Sequence, residues 1–302
     1  MKLDYIKCHG SGNEFVMIDA TANDLQGLDL AELSRYACNR EHSIGADGVL
    51  LLCKRQGVYA MRMFNPDGSE AEMCGNGIRC VARLAEELYL GAEGGTFDLW
   101  SGKSIYHIAH EEDIFEGIPT FAVELNVRVE GEIERVIPEL DDELRWSSIN
   151  VGNPHIIAEV ESIDYTKLER LGKRVTELKE VFPQGVNVSL VRQLGTNRIF
   201  VATFERGAGI TASCGTAMTS SATAMVLRGR CDYETLIEVE NRGGAVRCRT
   251  ERNPLRTQLI GNASYISRGE IEEQNGVFSH TERGEYADEK ALYDNFLKHY
   301  KG

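Results

Sequence analysis

The chain has 302 residues, 42% hydrophobic and 26% charged, with 33 Lys and Arg against 47 Asp and Glu for a net charge of -14. That length allows two domains of ordinary size, and the acidic balance, with no Lys/Arg run, excludes a phosphate-backbone partner. No apolar run approaches the roughly 20 residues of a membrane span, and Met1 to Cys8 lacks the apolar core of a signal peptide, so neither nucleic acid nor membrane is expected as a partner and a cytoplasmic location is.

In chain order, Phe15-Val-Met-Ile18 and Val49-Leu-Leu-Leu52 are short apolar runs bounded by Gly or polar turns and read as strands. Cys74 opens a helix, with Ile78, Val81, Ala82, Ala85 and Leu88 at helical spacing and Gly91 as its stop. A strand-like segment follows from Thr96 to Gly102. The alternating, acidic stretch from Phe121 to Leu144 reads as the crossing into a second half. There Ile156-Ile157 and Val186 to Val191 read as strands, and Cys214 opens a helix with Met218, Ala222, Met225 and Val226 in step. No charge lies between Gly215 and Leu227, so this helix is expected to be buried on most sides. Leu236 to Gly244 and Tyr265 to Arg268 complete the strands. The charged tail from Gly269 to Gly302 ends in a stretch, Ala287 to Tyr300, with helical propensity, expected either to dock or to stay mobile.

The eight cysteines include no C-x-x-C pair and no structural-zinc spacing, so no metal site is expected. Cys8, Cys38, Cys53, Cys80, Cys231 and Cys248 read as small core hydrophobes. Cys74 and Cys214 differ from these six. They lie 140 residues apart, and at the same offset Gly12-Asn13 falls on Gly152-Asn153, Gly45 on Gly185, Asp47 on Asn187, Phe64 on Phe204, Asn65 on Glu205 and Cys74-Gly75 on Cys214-Gly215. A fixed offset over separated blocks reports a duplicated half.

A cysteine at a helix start faces unpaired backbone N-H groups and the positive end of the dipole, which is expected to lower its pKa and make thiolate accessible near neutrality. If the matched halves face one another across a cleft, one thiolate and one thiol can remove a proton from one face of a carbon and return one to the other. The N-H groups of Gly75-Asn76-Gly77 and Gly215-Thr216-Ala217 suit an anionic carboxylate and the enolate-like charge that develops beside it. Inversion at an amino-acid α-carbon is the reaction this predicts, and no cofactor motif competes with it.

His9-Gly-Ser-Gly-Asn-Glu-Phe15, Ile44-Gly-Ala-Asp-Gly48, Asn65 to Cys80, Gly152-Asn-Pro-His155, Asn187 and Glu205 to Thr216 together resemble the diaminopimelate epimerase family, in order from residue 9 to about residue 270. The resemblance implies an isomerase without a cofactor that interconverts LL- and meso-diaminopimelate in lysine and cell-wall synthesis, working as a homodimer on a small amino-acid substrate. It implies an α/β (α+β) fold of two pseudo-symmetric domains, each a β-barrel-like sheet around a central helix. The halves are then 1–119, completed by the C-terminal strand and tail 264–302, and 120–263. It makes Cys74 and Cys214 base and acid, with His155 and Glu205 tuning them, and makes Asn13, Asn65, Gly75, Asn76, Asn153, Asn187, Glu205, Arg206, Gly215 and Thr216 the substrate-binding set. An Arg/Glu pair with several amides suits a second zwitterionic centre on its own chemistry.

Ser43, Ile210 and Ala217-Met218 depart from the family's usual residues, which leaves the reaction firmer than the substrate. Taken singly, each motif has an ordinary reading: Asn-Pro-Asp-Gly is a turn, Glu205-Arg206 a solvated pair, and Asp47 and Thr216 structural. A racemase of another amino acid such as histidine is the alternative within the fold, and a ligand-binding protein without catalysis is the alternative outside it.

Overall fold

The computed structural model describes residues 1–23, 25–91 and 95–300, so the last two residues of the expected tail lie outside the described residues. The chain forms two compact units, Met1–Val123 with Ile260–Gly302, and Glu124–Leu259. In chain order the first contains β1 (Lys2–Gly10), β2 (Asn13–Asp19), α1 (Leu30–Cys38), β3 (Val49–Arg55), β4 (Val58–Phe64), the two-residue β5 (Glu70–Ala71), α2 (Gly75–Ala85), β6 (Thr96–Ser101) and β7 (Ser104–Glu111). β8 (Thr120–Asn126) leads into the second unit, with β9 (Arg128–Val129), β10 (Arg135–Ile137), β11 (Asp141–Asn150), β12 (Pro154–Glu159), α3 (Tyr165–Glu177), β13 (Asn187–Gly195), β14 (Arg198–Glu205), β15 (Gly209–Ile210), α4 (Gly215–Leu227), β16 (Ile237–Asn241) and β17 (Gly244–Glu251). β18 (Arg256–Asn262) returns to the first, which closes with β19 (Ser264–Gln274), β20 (Val277–Glu285) and α5 (Ala287–Lys298).

The two units repeat one wiring. In the first, β2 and β3 are parallel, β3–β4 and β4–β5 antiparallel, β4–β6 parallel and β6–β7 antiparallel. In the second, β12–β13, β13–β14, β14–β15, β14–β16 and β16–β17 follow the same sequence of senses. The offset of 140 holds at residue level where Ala60 faces Trp100 and Phe200 faces Glu240. It slips by one at the parallel pair: Val16 faces Val49, whereas Ile156 faces Val188.

The strands of each unit wrap one helix. All eleven residues of α2 are buried, and β1, β2, β3, β4 and β6 pack around it. α4, uncharged throughout, is packed by β11, β12, β13, β14, β16 and β17. A strand between such a helix and an outer one is buried on both faces and needs no polar alternation, which is why Val49 to Leu52 is a continuous apolar run. The outer helices lie beyond the elements expected from the sequence. α1 is capped by Asp29, which accepts from the Ala31 and Glu32 N-H groups, and buries Leu33 and Ala37 against Val16, Ile18 and Leu51. α3 is capped by Asp164 and buries Leu168, Leu171 and Val175 against Ile156 and Val188. Each cap contributes about 1 kcal/mol.

The structure refines one expectation and corrects another. The helix after Cys74 stops at Gly91, at φ 79°, as expected, its last turn over Glu86–Leu90 being π-helical. The last strand does not end near Arg268: β19 continues to Gln274 and turns through Asn275-Gly276, both at positive φ, into β20. Gln274 pairs with Val277 across that two-residue turn, the geometry that Asn-Gly favours. Of the two outcomes open for its end, α5 docks, burying Tyr293 and Phe296. Among the described residues no helix is long and apolar enough to cross a membrane.

Candidate active site

In the first unit Cys74 is the N-cap of α2, extended at φ -141° and ψ 113°, and its sulfur accepts from the Gly77 N-H at 3.4 Å. The helix can start here because Gly77 and Gly10 admit close neighbours. A Cβ on Gly77 would meet Leu50 Cδ2 at 2.9 Å, and one on Gly10 would meet the Asn76 carbonyl at 2.8 Å. Asn13, at the start of β2, brings its Oδ1 to 3.9 Å from Cys74 Sγ and accepts from Asn76 Nδ2 at 3.4 Å. Its own Nδ2 donates to Asp47 at 2.9 Å, and Asp47 also accepts from the Glu14 N-H and pairs with Arg40. Asp47 therefore positions Asn13. Asn65 is bonded within its own turn, donating to Ser69 Oγ at 3.0 Å.

Arg79 belongs to this half-site although its place in the Asn65 to Cys80 motif gave it no expected role. Fully buried, its guanidinium donates to the Gly75 carbonyl at 2.9 Å, Asn76 Oδ1 at 3.2 Å, Ser11 Oγ at 3.1 Å and the Asn262 carbonyl at 3.1 Å. It fixes the Asn76 amide so that its Nδ2 points to Asn13. Its sequence signal is a charge one helical turn after Gly75, on a helix whose other residues, Asn76 and Arg83 apart, are apolar or glycine.

In the second unit Cys214 caps α4 with nearly the same backbone, φ -132° and ψ 107°, but is buried and makes no side-chain cap bond. Thr216 Oγ1 lies 3.5 Å from its sulfur. Glu205, at the end of β14, is close enough to act on the thiol through charge and a hydrogen bond, and accepts from Thr211 Oγ1 at 2.5 Å. Asn187 is buried and accepts from the Arg206 N-H at 2.8 Å; the exposed Arg206 guanidinium donates to the Gln184 carbonyl. His155 stands beside Asn187 in the β12–β13 register. Its Nε2 meets Asn153 Oδ1 at 3.0 Å, while its Nδ1 is buried with no hydrogen-bond partner among the described residues. Gly75, Asn76 and Gly215 are buried at the helix starts.

The electrostatics overturn one expectation. The Gly77 and Asn76 N-H groups and Arg79 do pull the Cys74 thiol down, as a helix start should, but burial outweighs them and the thiol stands above its ordinary value. Cys214 is raised well above it, first by burial and then by the Glu205 charge. Desolvation of a thiolate is the larger effect here than the dipole, so both thiols are protonated near neutrality. His155 is lowered to about 3 by burial and by Arg206. A neutral imidazole whose Nε2-H donates to Asn153 has an Nδ1 lone pair to spare. The other six cysteines are free, buried except for the half-buried Cys53.

In fold the chain is similar to a hydroxyproline epimerase from Agrobacterium vitis, at TM-score 0.64 and 14% identity over 89% of this chain and 91% of that one. It is similar also to a phenazine biosynthesis protein of the PhzF family from Bacillus anthracis, at TM-score 0.68 and 16% identity over 90% and 100%. These likenesses set the fold class, one in which epimerases and PhzF-family proteins are found. In sequence, the profile of diaminopimelate epimerase matches residues 5–114 and 147–266. The chain is 39% identical to diaminopimelate epimerase of Clostridium acetobutylicum over 90% of its own length and 86% of the relative's, and 35% identical to that of Listeria innocua over 99% and 97%. It belongs to the diaminopimelate epimerase family.

Proposed function

We propose that the protein inverts one α-carbon of diaminopimelate, interconverting the LL and meso forms, with Cys74 and Cys214 as the two proton carriers. The observation that carries this reading is the matched placement of the two cysteines, each capping the buried central helix of its unit with nearly the same backbone angles, in a chain of this family. One sulfur, as thiolate, takes the α-proton; the electron pair is delocalised into the carboxylate; the other sulfur gives its proton to the opposite face. Both sulfurs must reach one carbon.

A raised thiol pKa suits this chemistry, since a thiolate formed in a site that disfavours it is the stronger base. The N-H groups of Gly75, Asn76 and Gly77 and of Gly215, Thr216 and Ala217 would hold the reacting carboxylate and stabilise the charge that develops there. Asn13, Asn65, Asn153, Asn187, Glu205 and Arg206 would read the rest of the substrate, with His155 and Glu205 adjusting the thiols. No cofactor is needed for a reaction whose electron sink is the substrate's own carboxylate. The cytoplasm, which keeps thiols reduced, is the compartment this chemistry requires, and the family resemblance carries the expectation of a homodimer. The test is exchange of the α-proton of LL-diaminopimelate in deuterated water by purified protein, alongside a panel of single-centre amino acids. Exchange coupled to inversion supports the reading; faster racemisation of histidine or another single-centre amino acid replaces it with the racemase alternative.

A further inference from the structure

The stretch matched by the family profile ends at residue 266, yet the chain beyond that point reaches the Cys74 half-site. The ring of Tyr293, on α5, meets the ring of His9 edge-on at a centroid distance of 4.2 Å, and both side chains are buried. His9 Nδ1 accepts from the Gly12 N-H at 3.3 Å and from Asn262 Nδ2 at 3.3 Å. Asn262 in turn accepts from the Ser11 N-H at 2.8 Å, closing the turn between β1 and β2. That turn, Ser11-Gly12, leads into Asn13 at the start of β2, whose Oδ1 faces Cys74 and Asn76. A second anchor lies one turn further along α2. Glu289 of α5 takes both Nη atoms of the buried Arg83 at 2.7 and 2.8 Å and accepts from the Tyr265 N-H at 2.8 Å, while the Arg83 guanidinium lies over the Tyr265 ring at 3.6 Å.

Resting on the reading of Cys74 as a proton carrier, we propose that α5 is a working part of the Cys74 half-site and that Tyr293 is a positioning residue, acting through the His9 ring on the turn that presents Asn13 to Cys74. The contacts run without a break from α5 to the sulfur. His9 can accept both hydrogen bonds only in one ring orientation, and Tyr293 packs against that ring. With the ring free to turn, the Gly12 N-H and the Asn262 amide lose their common acceptor, and the turn that carries Asn13 is loosened on its α5 side. A bidentate carboxylate–guanidinium pair with little solvent around it is a geometrically demanding anchor, so α5 is held in one position relative to α2.

The experiment reads Cys74 directly. Site-resolved alkylation by iodoacetamide, followed by mass spectrometry, is measured for Cys74 and Cys214 in the full-length wild type, Tyr293→Ala, Tyr293→Leu and Tyr293→Phe, with the melting temperature of each. In Tyr293→Ala the Cys74 rate is expected to change by about tenfold as the turn opens locally, with Cys214 unchanged. Turnover of LL-diaminopimelate should fall on the order of 10²-fold, the size expected from a small misplacement of a reacting group. Tyr293→Phe, which keeps the ring, should restore both. Tyr293→Leu keeps the bulk without the ring and should behave as Tyr293→Ala, which covers the case in which Tyr293→Ala does not fold. Wild-type alkylation of Cys74 in the Ala and Leu variants, or equal acceleration of Cys74 and Cys214 as in general loosening, overturns the proposal. Because alkylation needs no substrate, a wild type that fails to turn over diaminopimelate defeats the functional reading while this proposal is still decided.

Discussion

Glu205 and Cys214 are electrostatic neighbours, and the carboxylate adds to burial in holding the thiol protonated. Replacing the charge while keeping the shape separates the two contributions. In Glu205→Gln the Cys214 thiol should titrate at lower pH than in the wild type, so its alkylation at a fixed pH near 8 should be faster, with Cys74 unchanged. Site-resolved alkylation across a pH series checks this; a Cys214 curve that stays in place would show that burial acts alone.

Removal of either carrier should abolish inversion. Loss of a general acid or base costs about 10²–10⁴-fold, and loss of an obligatory partner lies at or beyond the upper end. Cys74→Ala and Cys214→Ala are therefore expected to be inactive with a native circular dichroism spectrum, while Cys53→Ala, a change at a half-buried thiol on β3, remains active. Full activity in either of the first two would end the two-thiol account.

The buried histidines make stability depend on pH. His9 is lowered to about 4 and His155 to about 3, in both cases chiefly by burial. Between those values and the ordinary 6.5 the unfolded chain holds the extra protons, so stability is present above about pH 6.5 and is lost as pH falls. Each histidine contributes a slope of about 1.4 kcal/mol per pH unit well inside that window. Urea unfolding from pH 7.5 to 5, above most carboxylate titration, should show the decline, and His9→Asn should reduce its slope. A flat profile over this range contradicts the burial of neutral imidazoles.

Substrate discrimination should rest on the β14 end. Arg206 and Glu205 are proposed to meet the distal carboxylate and amine, and polar groups left unpaired discriminate strongly against substrates that lack them. Arg206→Ala is expected to lower kcat/KM for diaminopimelate by about 10²-fold or more. Steady-state kinetics decide it, and a change of less than a few-fold would move distal recognition elsewhere.

The two helix starts are legible in the sequence because a cysteine before a glycine, followed by apolar residues at helical spacing, is local information. The repeated wiring is legible as a constant offset, apart from the one-residue slip at Ile156 and Val188. α1 and α3 carry visible signals, Asp29 and Asp164 ahead of periodic apolar residues, but α1 has only nine residues and both helices are flanked by polar segments that hide them among loops. The β19–β20 hairpin is masked by Glu270, Glu272 and Glu273, although Asn275-Gly276 marks its turn. Two features have no local signal at all. The thiol pKa values depend on burial, which the helix-start argument does not contain, and the contact of Tyr293 with His9 joins the two ends of the chain.

The most direct measurement of the central claim is the fate of the α-hydrogen when LL-diaminopimelate is converted in deuterated water. With two separate carriers, meso product is predicted to carry solvent deuterium at its inverted carbon from the first turnover, while substrate recovered early carries little, because the proton removed by one sulfur and the proton given by the other come from different groups. Product that retains the original hydrogen, or deuterium appearing in substrate faster than in product, would mean that a single group removes and returns the proton, and would contradict the assignment of Cys74 and Cys214 as separate carriers.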